Sequence, residues 1–210
     1  MSCIGARSAA AAFLAAIAGV LLAAPAQAQG PHSIFPQAEE MRTEEQPGHE
    51  PSADEDDRPA TFQRQPVFYR SAELPGTIVV DTPSRFLYLI EGNNRALRYG
   101  IGVGRNGFQW GGLLRISRKA EWPDWTPPPE MIARQPYLPR FMAGGPGNPL
   151  GARALYLGNT EYRIHGTNQP WTIGHAVSSG CFRLVNNDVV DLYDRVPVGT
   201  KVIVRQAPQT

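Results

Sequence analysis

Reactive side chains are scarce in this chain of 210 residues. Its two cysteines are Cys3 and Cys181, it has four histidines, and lysine occurs only as Lys119 and Lys201. Scarce lysine, with no arginine-rich block, makes nucleic acid a poor partner. His165, His175 and Cys181 stand at H-x9-H and H-x5-C, which is no recognisable zinc arrangement and offers no fourth ligand, so no metal is expected. The glycines at 100, 102, 104, 107, 111 and 112 are followed by no Gly-Lys-Ser/Thr. They read as hairpin and close-packing positions rather than as a phosphate loop.

Composition divides the chain into three. Residues 1–28 carry Arg7, an apolar run from Ala9 to Ala24 and the small-residue site A-Q-A at Ala26–Ala28, which reads as a secretory signal peptide cleaved after Ala28. Cys3 leaves with it, so Cys181 becomes the single thiol of the mature protein. A lone cysteine in an oxidising compartment cannot staple its own chain, which suggests chemistry or an intermolecular bridge over an inert buried side chain. Residues 29–65 hold nine acids against three bases and few apolar residues. Such a stretch cannot bury enough surface to offset its ordering entropy, and it is expected to be a disordered acidic linker with His32 and His49 solvated. Residues 66–210 reverse the balance, with sixteen bases against ten acids, and suit one domain with its own core.

Within that domain one stretch concentrates the chemistry: R-I-H-G-T-N-Q-P-W-T-I-G-H-A-V-S-S-G-C-F-R-L, from Arg163 to Leu184. A thiolate attacks a carbonyl far better than a thiol does, so Cys181 needs an imidazole to take its proton, and His165 is the candidate. On that reading the thiol is expected to be partly ionised near neutral pH. The imidazole needs an acceptor for its other N–H. No Asp or Glu lies between Glu161 and Asp188, and a backbone carbonyl can serve instead. The backbone N–H groups of S-S-G-C can hold a developing oxyanion, with Gly180 permitting a turn that a Cβ would resist. Ser179, Gly180 and Arg183 are the candidate substrate-binding residues. Arg183 suits a carboxylate through its planar fork, or a structural salt bridge to Asp188.

The rest of the domain reads mostly as strands. Thr77–Thr82 and Arg85–Ile90 are β-rich runs, Gly92-Asn93-Asn94 supplies the next turn, and Ala96–Val103 and Leu113–Lys119 continue the pattern. Residues 122–150 form a long Pro-rich segment carrying Trp122, Trp125, Tyr137 and Phe141. It is either a lid over the cleft or a structural flap whose aromatics are core. Leu155–Leu157 and Glu161–Ile164 look like strands delivering His165. Asn186 or Asn187 can cap a short helix with Val189, Leu192, Tyr193 and Val196 on one face, and Thr200–Arg205 is a final strand. The expected fold is mainly β, sandwich-like or barrel-like, with one short helix after the catalytic segment.

The ordered run I-H-G-T, I-G, S-S-G-C-F-R-L, D-V-V-D-L-Y and V-G-T-K-V-I-V resembles the L,D-transpeptidase catalytic domain, the family that crosslinks bacterial peptidoglycan. The resemblance implies Cys181 as nucleophile, His165 as general base and the main-chain carbonyl of Gly166 as the group that orients His165. Many members carry a histidine directly before the Gly-Cys pair; Ser179 stands there in this chain. The family implies an enzyme without a cofactor acting on peptidoglycan peptide stems, and the signal peptide places it in the periplasm. Cys181 would attack the carbonyl of the third residue of a tetrapeptide stem and expel D-alanine. A stem amine as acceptor gives a 3→3 crosslink, a protein amine anchors an outer-membrane protein to the wall, and water makes an L,D-carboxypeptidase. A non-catalytic peptidoglycan-binding module is the reading from another class.

Overall fold

The structure, a computed structural model, describes residues 58–206. The expected signal peptide and the linker as far as Asp57 lie outside the described residues. The strands are β1 Gln65–Phe68, β2 Ile78–Asp81, β3 Phe86–Gly92, β4 Arg95–Gly100, β5 Val103–Gly104, β6 Gly112–Glu121, β7 Arg153–Leu157, β8 Arg163–His165, β9 Ala176–Ser178, β10 Phe182–Arg183 and β11 Lys201–Arg205. The helices are α1 Pro129–Arg134 and α2 Asn186–Arg195.

Turn chemistry sets the first hairpin. Asn93 and Asn94 both take left-handed φ, 49° and 57°, the two-residue geometry whose twist matches that of the β3 and β4 strands it joins. Nine strands then form one mixed sheet in the order β1-β4-β3-β2-β11-β6-β7-β8-β10. The last strand, β11, enters the middle, parallel to β2 and antiparallel to β6. β6 is long enough to serve two neighbours: Gly112–Arg115 pairs with β11, and Ile116–Glu121 pairs with β7 after a register shift between Ile116 and Arg118. The far edge returns to the start of the sheet. Arg183 on β10 and Gly102, just past β4, exchange both backbone hydrogen bonds at 2.9 and 3.0 Å. That closure gives the mainly β domain its barrel-like character.

Strand alternation puts one set of side chains inside. Ile78, Val80, Leu87, Tyr99, Ile116, Leu155, Ile164 and Phe182 meet Val189 and Leu192 of α2 in a single buried cluster. Burying each such side chain stabilises the fold by about 1.5–3 kcal/mol, which outweighs the marginal propensity of a ten-residue helix. The Tyr99 hydroxyl, drawn into this core, donates to Asp191 Oδ2 at 2.7 Å, so its polarity is satisfied.

The structure refines three expectations. Residues from Arg58 onward, placed in the linker by composition, pack on the domain. All nine linker acids lie at or before Asp57, whereas Arg58 Nη1 reaches Asp188 Oδ2 at 2.6 Å, Arg64 reaches Asp191 at 3.0 Å, and Phe62 packs on Phe86 at 5.3 Å. The start of α2 has no side-chain cap. Asn186 turns instead to the strands, its Oδ1 accepting from the N–H groups of Ala152 at 2.9 Å and Thr167 at 3.3 Å. Residues 122–150 are a folded flap: α1 lies within it, and Trp125, Leu138 and Leu150 form a small buried cluster, while Trp122, Tyr137 and Phe141 are exposed.

Candidate active site

β8 and β10 run side by side in parallel, with Ile164 opposite Phe182 and His165 opposite Arg183. Ile164 and Phe182 are fully buried in the core. Because successive side chains alternate, His165, Arg163 and Arg183 share the opposite face, and extending the alternation by one residue before β10 sets Cys181 there too. An imidazole and two guanidinium groups thus come from a three-residue strand and its two-residue neighbour, and the thiol from the residue just before that neighbour.

His165 is buried, and its Nδ1 lies 2.6 Å from the carbonyl oxygen of Gly166. A carbonyl only accepts, so Nδ1 carries the hydrogen and Nε2 keeps its lone pair. Burial, and next the positive charge of Arg183, push the imidazole pKa down to about 3; the Gly166 carbonyl pulls the other way, and Arg163 adds to the depression. His165 is therefore neutral at physiological pH. Cys181 is a free, part-exposed thiol whose sulfur lies 3.7 Å from the carbonyl of Glu161. Burial of the sulfur raises its pKa above the ordinary thiol value, opposed by the charge of Arg163, by that residue's backbone N–H and by Arg183. The resting pair is thiol and imidazole, which replaces the expected partly ionised thiol.

The turn before the nucleophile is held from three sides. The Ser178 hydroxyl donates to the carbonyl of Cys181 at 2.6 Å and accepts from the N–H of Gly180 at 3.2 Å. Gly180 has φ 106°, and a Cβ there would lie 2.7 Å from the Tyr162 ring, so both conformation and space demand glycine. The Trp110 indole N–H donates to the Gly180 carbonyl at 2.7 Å, and its ring stacks on Tyr162 at 4.3 Å. Gly180's N–H is thus used within the turn. β5 flanks the same segment: Val103 N–H bonds His175 O, and Arg105 N–H bonds Ser178 O, each at 3.0 Å.

The other candidates are distributed as follows. Arg183 Nη1 donates to Gln169 Oε1 at 3.2 Å, and Asp188 pairs with Arg58 at 2.6 Å. Ser179 is half-buried beside Gly180, and His175 lies exposed at the turn before β9. Sequence reasoning missed Arg163, Trp110, Ser178 and Asn186. Arg163 alone had a local cue, since R-I-H on a strand puts its first and third residues on one face.

A mixed-sheet β domain carrying a thiol and an oriented neutral imidazole on one face of adjacent strands has the make-up of a cysteine acyl-transfer enzyme. The chain belongs to the L,D-transpeptidase catalytic-domain family: the family model described as "YkuD: L,D-transpeptidase catalytic domain" matches residues 75–204. It is 40% identical over 141 residues to the probable L,D-transpeptidase ErfK/SrfK of Escherichia coli (strain K12), covering 63% of this chain and 44% of that protein. The chain thus spans under half the length of that relative. A solved structure from Brucella melitensis, described as a probable carnitine operon oxidoreductase, is 50% identical, covers 73% of this chain and all of its own, and has a TM-score of 0.48. An L,D-transpeptidase from Mycobacterium smegmatis is 19% identical, with 61% and 58% covered and a TM-score of 0.48. At those TM-scores neither likeness bears on chemistry.

Proposed function

We propose that this chain is a periplasmic cysteine L,D-transpeptidase that works on peptidoglycan peptide stems after removal of residues 1–28. The observation that carries the reading is the parallel β8–β10 register, which puts Cys181 and His165 on one face while Nδ1 of His165 is committed to Gly166.

In this reading Cys181 Sγ attacks the carbonyl carbon of the third residue of a tetrapeptide stem as its proton passes to His165 Nε2. The new S–C bond forms, and the carbonyl electron pair moves to an oxyanion held by the Cys181 N–H. Collapse breaks the C–N bond to D-alanine, whose nitrogen takes the proton from Nε2. An amine of a neighbouring stem then attacks the thioester, giving its proton to Nε2. The S–C bond breaks, a 3→3 crosslink results, and the sulfur recovers its proton. Arg183, which follows the oxyanion turn, offers its guanidinium to a substrate carboxylate. A protein amine in the acceptor position would anchor an outer-membrane protein instead.

The test is mass analysis of products from a purified disaccharide-tetrapeptide. A dimer lighter by one D-alanine supports the reading. Tripeptide alone makes the protein an L,D-carboxypeptidase, and unchanged substrate with a folded protein makes it a wall-binding module.

A further inference from the structure

A neutral imidazole leaves the chemistry one charge short. When Cys181 gives up its proton, or leaves the thioester as an anion, its sulfur needs a cation in contact, and a histidine depressed to about 3 holds a proton poorly. The charged side chains acting on the sulfur are Arg163 from β8 and Arg183 from β10, with His165 on the same face of β8 as Arg163. Arg183 sits opposite His165 and spends a donor on Gln169, whereas continuing the β8–β10 register by one residue sets Arg163 beside Cys181 itself. Both the backbone N–H and the guanidinium of Arg163 are directed at the sulfur.

The surroundings of Arg163 keep that charge available. Among the described residues no carboxylate forms a salt bridge with it, and its buried Nε has no hydrogen-bond partner. Its guanidinium carbon lies 5.2 Å from the centroid of the Tyr156 ring, which Arg118 also covers at 3.6 Å. A ring face holds a guanidinium in place without neutralising it.

We infer that Arg163 is a further catalytic residue, whose guanidinium holds the Cys181 sulfur as an anion both when it attacks and when it leaves. The role rests on the transpeptidase reading for its use in turnover, but contact with the sulfur exists without substrate and is measured without it. Arg163 thus takes the part that a protonated histidine plays in an ion-paired thiolate, and His165 is left to carry the proton between sulfur and amine.

The experiment follows alkylation of Cys181 by iodoacetamide between pH 6 and pH 10, read by intact mass on the folded protein. In Arg163→Gln the midpoint should move up by about one pH unit, making alkylation about tenfold slower below it. Arg163→Lys, which keeps a charge, should stay within about threefold of the unmodified protein. Arg163→Met, which keeps the stem against Tyr156, serves if the glutamine variant does not fold. A charge-free variant that is folded and alkylates with the original pH profile overturns the assignment, as does unfolding of both charge-free variants, which would make Arg163 structural. A shifted profile together with no turnover of tetrapeptide would leave the sulfur contact standing and remove the transpeptidase reading alone.

Discussion

The indole nitrogen of Trp110 lies 2.7 Å from the carbonyl oxygen of Gly180, across seventy residues of sequence. The Gly180 carbonyl and the Cys181 N–H belong to one planar peptide unit and point in opposite directions. By fixing the carbonyl, Trp110 fixes where the Cys181 N–H points. Trp110→Phe keeps the ring on Tyr162 but deletes the donor. It should lower kcat by about tenfold with KM little changed, because a misaimed oxyanion donor costs transition-state binding alone. Steady-state kinetics with a tetrapeptide donor would show it; a rise in KM with kcat intact would assign Trp110 to substrate binding instead.

The ion pair between Arg58 and Asp188 predicts where the chain can be shortened. Both side chains are buried, so removing Arg58 takes from Asp188 its 2.6 Å guanidinium contact and leaves the longer one to Arg64 at 3.8 Å. Arg58→Ala should destabilise the domain by about 3–5 kcal/mol. Deletion of residues 29–65 should lower the urea midpoint sharply, because it removes this pair and an edge residue of β1. A midpoint equal to that of the full chain would show that the pair contributes nothing.

His165 predicts a pH dependence of stability. Its folded-state pKa lies near 3 and its unfolded value near 6.5, so between those pH values the unfolded chain binds the extra proton. The stability tied to neutral His165 is complete above about pH 6.5 and falls as pH drops towards 3, with a slope of up to about 1.4 kcal/mol per pH unit. Denaturant titrations of the native chain and of His165→Asn should diverge in that window and run parallel above it. Parallel curves throughout would mean that His165 is protonated in the fold.

Arg183 separates binding from folding. Arg183→Lys keeps the charge but loses the fork, and should raise KM several-fold with little change in Tm, if the guanidinium meets a substrate carboxylate as proposed. A fall in Tm with unchanged kinetics would place its value in the Gln169 contact.

What could be read in advance was what is local. The β2 and β3 runs, the Asn93-Asn94 turn, the helix after the catalytic segment and the closing strand all carry their pattern in neighbouring residues. Cys181 and His165 stood out because reactive residues are so few, and the want of an acid near His165 pointed to a backbone acceptor. β9 and β10 escaped notice because strands of three and two residues have too few alternations to show a period. Trp110, Ser178 and Asn186 act through partners fixed by the fold, and Arg58 acts on a residue 130 positions away. A boundary drawn from net charge follows composition, and so it stopped eight residues past the point where the acids end.

The place of β11 bears on how the molecule comes to be made. It is the last strand, yet it lies between β2 and β6 and joins the half of the sheet that holds the hairpin to the half that holds the thiol. Until Lys201–Arg205 has emerged, β2 and β6 have no common neighbour, and a growing chain can form local hairpins but not the finished sheet. Such distant pairing slows folding. A polypeptide built this way keeps its two half-sheets unjoined for as long as its tail is being synthesised, and only the last strand locks the hairpin half to the half that carries the cysteine and the histidine.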